Sequence, residues 1–150
     1  MFVLAGEIAR GAGIALGTQL DLVRAGVVVL GGSPARVARQ IAELEPGDVV
    51  IVIEHRRYER WLLDVLARAR VAGAEVLALT DRSLSPIATD ARHVFVVAAT
   101  GVGPFDSHTA TMALVHALTA GVAARLRRSA TARLDAIEQA WSAGNELVDA

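Results

Sequence analysis

Hydrophobic and polar positions alternate along this chain in two periods, and the alternation itself outlines the fold. Phe2–Ala5, Val27–Leu30, Asp48–Ile53, Glu75–Leu79 and Val94–Val97 are short apolar runs of strand length, rich in Val, Ile and Leu. Continuous apolar character over such a length fits strands covered on both faces. Between them the period becomes helical. A helix is expected from about Ile8 to Arg24, and Ser33-Pro34 supplies an N-cap and a first-turn proline for a short helix with Val37, Ile41 and Leu44 on one side. Trp61, Leu62, Val65, Leu66 and Ala69 form the next apolar stripe, closed by Ala72-Gly73-Ala74. Ser85-Pro86 caps a further helical turn. Ser107 is positioned as the N-cap of a long helix reaching about Arg127, and Ser129 or Thr131 restarts a last one with Leu134, Ile137, Trp141 and Leu147 as its stripe. Strands alternating with helices predict right-handed βαβ units and an α/β three-layer sandwich around a five-stranded parallel sheet, of the flavodoxin or Rossmann-like kind, with a long C-terminal helical segment.

Ligands in such sheets sit beyond the carboxyl ends of the strands. Here those ends carry Glu54-His55-Arg56-Arg57 and Thr80-Asp81, polar segments in apolar surroundings. Adjacent arginines at a helix start suit a carboxylate or phosphate, through forked donors and the helix dipole together. The alternative is a solvated helix start in which Glu54 and Glu59 neutralise the arginines. Gly6 and Glu7 follow the first strand, and Ser107 and His108 open the long helix, so three segments are expected to bound one cleft. Two arginines there predict a narrow, positive site for a small anion. Gly11–Gly17 tempts a dinucleotide reading, but the run lies inside a helix and its third glycine is one residue late, so helix packing explains it better. His93 is expected at the surface before a strand and His116 at a helix contact. No His, Asp or Glu spacing points to a metal, and no cofactor is implied.

Thr80, Asp81, Ser85, Pro86 and Ala88 form a Thr-Asp-x-x-x-Ser-Pro-x-Ala segment. With the two buried strands before it, this segment resembles the SIS (sugar isomerase) domain, and more narrowly the effector domain of RpiR-type transcription regulators. The resemblance covers about residues 2–127, leaving 128–150 as a helical extension of the same domain. It departs from the family where most members carry Ser-x-Ser-Gly-x-Thr to hold sugar phosphates. Glu54, His55, Arg56, Arg57, Tyr58 and Glu59 stand there instead, similar to an Arg-Arg-Tyr variant among RpiR-like proteins. Ala9 occupies about the place of a further ligand-facing serine. The resemblance therefore implies a non-catalytic domain that senses a small anionic metabolite, a phosphosugar or carboxylate, and forms a homodimer. A sugar-phosphate isomerase is the rival reading, since Glu54 and His55 are of the right types for proton transfer. Losing the phosphate-positioning serines weighs against it. A ligand-free dimerisation module is the third. Regulators of this type carry a helix-turn-helix domain ahead of the SIS domain, whereas this chain opens at the first strand. The resemblance thus implies a part of a longer regulator, a stand-alone domain or one part of a larger system.

Composition narrows this picture modestly. A chain of 150 residues, 53% hydrophobic, suits one domain with a real core. No apolar run approaches the roughly 18 residues of a membrane span, and the start lacks the basic region of a secretory signal. Zero cysteines rule out disulfides and thiolate metal sites, so a cytoplasmic location is expected. A net charge of −1 gives no basic surface for DNA, so DNA binding would need the helix-turn-helix domain. All 15 basic residues are arginine, as codon bias in a GC-rich genome produces.

Overall fold

A computed structural model describes residues 1–147. The elements run β1 (Phe2–Ala5), α1 (Arg10–Val23), β2 (Val28–Val29), α2 (Pro34–Ile41), β3 (Val49–Ile53), α3 (Arg60–Val71), β4 (Glu75–Thr80), β5 (His93–Val96), α4 (Thr109–Arg125) and α5 (Arg127–Gly144). All five strands are parallel, in the order β2-β1-β3-β4-β5. The pleat sorts their side chains between two cores. Val3, Ile51, Ile53 and Leu79 face α1 and α4, with Leu16, Leu20 and Val115. Phe2, Leu4, Val50, Val52 and Val76 face α2 and α3, with Val37, Ile41, Leu62 and Val65. The expected three-layer α/β sandwich is the observed one.

The glycines of α1 serve packing. A Cβ at Gly13 would lie 2.7 Å from Cβ of Ala5, and one at Gly17 would lie 2.2 Å from Cγ2 of Val29. The helix thus rests on β1 and β2 more closely than any side chain would allow. Ser33 caps α2 as its sequence implied, its Oγ accepting from the Arg36 N–H at 3.3 Å. The Ser85-Pro86 segment makes a turn, with the Ala88 N–H donating to the Ser85 carbonyl at 2.9 Å, and drives Ile87 into the α2–α3 core.

The C-terminal helices depart from expectation. The long helix breaks at Leu126, and α5 starts at once, bent by 104°. The Ser129 hydroxyl does not restart a helix; it donates to the Leu126 carbonyl at 3.0 Å, which also accepts the Ala130 N–H at 2.8 Å as α5 begins. The stripe of α5 that turns inward is Ala130, Arg133, Ile137 and Trp141, while Leu134 and Leu147 are exposed. Arg133 ties α5 to α1 by donating from Nε to the Asp21 carbonyl at 2.7 Å. His93 is exposed as expected, but His116 is exposed too. Among the described residues no single helix is long and apolar enough to cross a membrane. Positions 148–150 of the expected extension lie outside the described residues.

Candidate functional site

At the carboxyl edge the connections diverge. The chain leaves β1 and β5 towards the α1–α4 face, and leaves β2, β3 and β4 towards the other face. Crevices open where neighbouring strands send their connections to opposite sides. Two cavities lie at such places. One of about 680 Å³ spans the ends of β1 and β2, and one of about 330 Å³ lies beyond β4 and β5. The segment Glu54–Glu59 runs between them.

Glu54 is buried at 4% exposure. Its carboxyl lies against Gly6, where a Cβ would fall 1.6 Å from Oε2, so only glycine leaves it room. Gly6 is itself held by its N–H to the Ile53 carbonyl at 3.2 Å. Oε1 accepts the His55 N–H at 3.0 Å. Burial is the main force on this carboxyl and lifts it to about 7. The His55 N–H opposes that rise, and repulsion from Glu59 and Asp81 adds to it. His55 is equally buried, with Nε2 3.1 Å from Oγ1 of Thr111 and its ring 4.9 Å from that of His108. Burial first, and the neighbouring His108 second, push its pKa below the ordinary histidine value. His55 Nδ1 and both ring nitrogens of His108 are buried without a protein partner.

The two arginines separate. Arg56 forms a forked pair with Asp106, Nε to Oδ1 at 3.1 Å and Nη2 to Oδ1 at 3.0 Å. Arg57 is exposed, adopts a left-handed backbone (φ 71°) and has no ion pair among the described residues. Neither is neutralised by Glu54 or Glu59. The Glu59 carboxylate instead accepts from the Glu7 N–H and from Nε1 of Trp61. Arg82 is likewise held by Asp81, at 2.9 Å, and Tyr58 donates to the same carboxylate.

The expected residues therefore do not line one cleft. Gly6 meets Glu54, and His55 meets His108, in a closed polar cluster. Arg56 lines the smaller cavity with Asp81, Arg82, Ala98, Ala99, Thr100 and Asp106. Glu7 lines the larger one with Glu59. Ser107 is a loop anchor: its N–H donates to the Ala99 carbonyl at 2.7 Å and its Oγ accepts from Thr109 N–H, while His108 occupies the N-cap position of α4. The expectation of a positive cleft is also corrected, because Asp106 and Asp81 balance Arg56 and Arg82. Sequence reasoning passed over Asp106, Arg82 and Thr111. An acid just ahead of α4 was the visible signal for the first of them. Among the described residues no group of three or more His, Asp or Glu is placed to hold a metal.

Comparison with known proteins bears on this geometry. The pattern of the SIS domain matches residues 2–121. The crystal structure of the sugar isomerase domain of an RpiR transcription factor from Sphaerobacter thermophilus is similar over 92% of this chain and 77% of that one, with 32% identity and a TM-score of 0.86. The Vibrio vulnificus NanR protein, complexed with ManNAc-6P, shares the fold at a TM-score of 0.80 and 13% identity, over 99% of this chain and 57% of that one. E. coli CFT073 c3406, in complex with A5P, shares it at 0.74 and 17%, over 91% and 74%. No curated protein matches the chain.

Proposed function

The chain belongs to the SIS domain family, and on that premise we propose that it is a non-catalytic sensor of a small anionic metabolite of phosphosugar type. The Arg56–Asp106 pair carries this reading. Arg56 follows β3, and Asp106 sits on the loop that leads into α4. The pair closes over a polar cavity of about 330 Å³, the scale of a small metabolite. An anion entering this cavity competes with Asp106 for the guanidinium. Capture of Arg56 releases Asp106, and with it the loop over residues 99–108 that sets the start of α4. Ligand occupancy is thereby converted into a movement of a helix. The relatives named above, an RpiR transcription factor and two proteins solved with phosphosugars, support the ligand class.

Helix α4 is the natural receiver of that movement. Only Thr111, Val115 and Thr119 of this helix are buried, whereas Met112, Leu114, Leu118 and Val122 pack at the margin of the α1–α4 core and stay partly exposed. A helix apolar on several faces needs a second cover, and a second copy of the chain supplies it in this reading. Sedimentation at micromolar concentration should give twice the 15.7 kDa chain mass. A clean 15.7 kDa species would remove dimerisation from the proposal.

The rival reading, an aldose–ketose isomerase, is favoured by one observation. Glu54 has a carboxyl at about 7 beside His55, which suits proton transfer at neutral pH. Against it, neither residue lines either cavity. The deciding experiment incubates the protein with a panel of aldose phosphates and follows both binding and product by NMR. Saturable binding without ketose formation is expected; turnover that is lost in Glu54→Gln would replace the sensor with an enzyme.

A further inference from the structure

The larger cavity fits a different ligand from the smaller one. It lies at the sheet edge, where β2 contributes only two paired residues and α1 and α2 diverge to opposite faces. Its walls are mainly apolar, and they include large side chains that the single chain leaves open: Ile14 is 50% and Val29 37% exposed. Trp61 and Val65 complete the apolar wall from α3. A sugar, with a hydroxyl on nearly every carbon, gains less from such a surface than a molecule with an apolar body does.

Charge is distributed unevenly around this cavity. The three carboxylates in its walls, Glu7, Glu59 and Asp64, come from the β1–α1 loop and from the start of α3. That of Glu59 is already engaged by two N–H donors. The β2–α2 wall contributes Gly31, Gly32 and Arg36 and no acid. Gly32 has φ +99°, which favours glycine, and a Cβ there would meet Cδ of Arg36 at 3.1 Å, so the arginine lies across the bare backbone. Three arginines line the cavity, Arg10, Arg36 and Arg68, and none has an ion pair among the described residues; Arg10 and Arg68 stand on the walls that carry the carboxylates, and Arg36 stands on the wall without one. An unpaired guanidinium at one end and an apolar trough beyond it complement a molecule with an anionic head and an apolar body.

We propose that the 680 Å³ cavity between α1, α2 and α3 binds a monocarboxylate with an aliphatic or aromatic body, its carboxylate on Arg36 and its body against Ile14, Val29 and Trp61. The site is separate from the Arg56 cavity, so it stands or falls independently of the sensor reading.

The chain has two tryptophans, Trp61 and Trp141. In a Trp141→Phe background Trp61 alone reports on the cavity. Octanoate should change its emission saturably, whereas octylamine and inorganic phosphate should not. Arg36→Ala should weaken octanoate about tenfold or more, as loss of a charge-assisted pair does. Ala38→Phe should abolish binding, because position 38 lies on the cavity wall and is exposed, so the ring can enter the trough without entering the core. If that variant does not fold, Arg36→Ala decides alone. Four results overturn the proposal: no saturable response to octanoate; octylamine binding as tightly; an affinity unmoved by Arg36→Ala; or emission that follows protein concentration rather than octanoate, which would mean that a second copy covers the cavity.

Discussion

Replacing Glu54 with glutamine is expected to stabilise the protein at pH 8 and to have a much smaller effect at pH 5. In the folded chain this carboxyl titrates at about 7, against 4.5 ordinarily. A raised folded pKa means that the folded state holds its proton more tightly than the unfolded one. The associated stability is complete below about 4.5, is lost as pH rises to about 7, and does not return above it. The full shift is worth about 3 kcal/mol; with screening along the loop we expect about 1–3 kcal/mol. Glutamine keeps the oxygen that accepts the His55 N–H but cannot ionise. His55 acts in the opposite sense: its lowered pKa supports the fold above the ordinary histidine value and costs stability as pH falls. The difference between wild type and Glu54→Gln cancels that contribution. Urea unfolding of both proteins from pH 4.5 to 8 measures it. Parallel pH profiles would show that Glu54 is not the desolvated acid its burial implies.

Arg56→Ala is expected to weaken phosphosugar binding about tenfold or more, the usual loss when a guanidinium leaves an anion site. Folding should be little affected, because the arginine side chain is 61% exposed. Calorimetric titration beside a melting curve separates the two effects. Arg57→Ala is the internal comparison. Arg57 lines neither cavity, so the variant should bind as wild type does. Equal losses in the two variants would mean that general positive charge, not the Arg56 fork, attracts the ligand.

Much of the fold was legible because each element carries its own local signal. Asp48–Ile53 reads as a buried strand from composition alone, and Ser33-Pro34 writes its cap into the sequence. The packing role of Gly13 and Gly17 followed from their place inside a helical period. The break at Leu126 was displaced because no glycine or proline marks it; the bend is set by α5 folding back on α1, a tertiary cause. The candidate site was only partly legible for the same reason. The segments around Gly6, Glu54–Arg57 and Ser107-His108 are recognisable as strand ends and helix starts. Which carboxylate faces which arginine depends on distances across 50 residues of chain. The sequence offered Glu54 and Glu59 as nearby partners for the arginines, whereas Gly6 draws Glu54 inward and the Glu7 and Trp61 N–H groups hold Glu59. That leaves Arg56 to Asp106. The large cavity was illegible because Val37, Ile41 and Val65 read simply as core stripes.

The sensor account turns on competition between an incoming anion and Asp106 for Arg56, and the sign of one substitution tests it. Asp106→Asn removes the competing charge while keeping the size of the side chain. Titrated with a phosphosugar that binds the wild-type protein, Asp106→Asn should bind more tightly, because the ligand no longer displaces a carboxylate. Weaker binding would contradict the account: Asp106 would then hold Arg56 in place for the ligand, with no partner exchange to move α4.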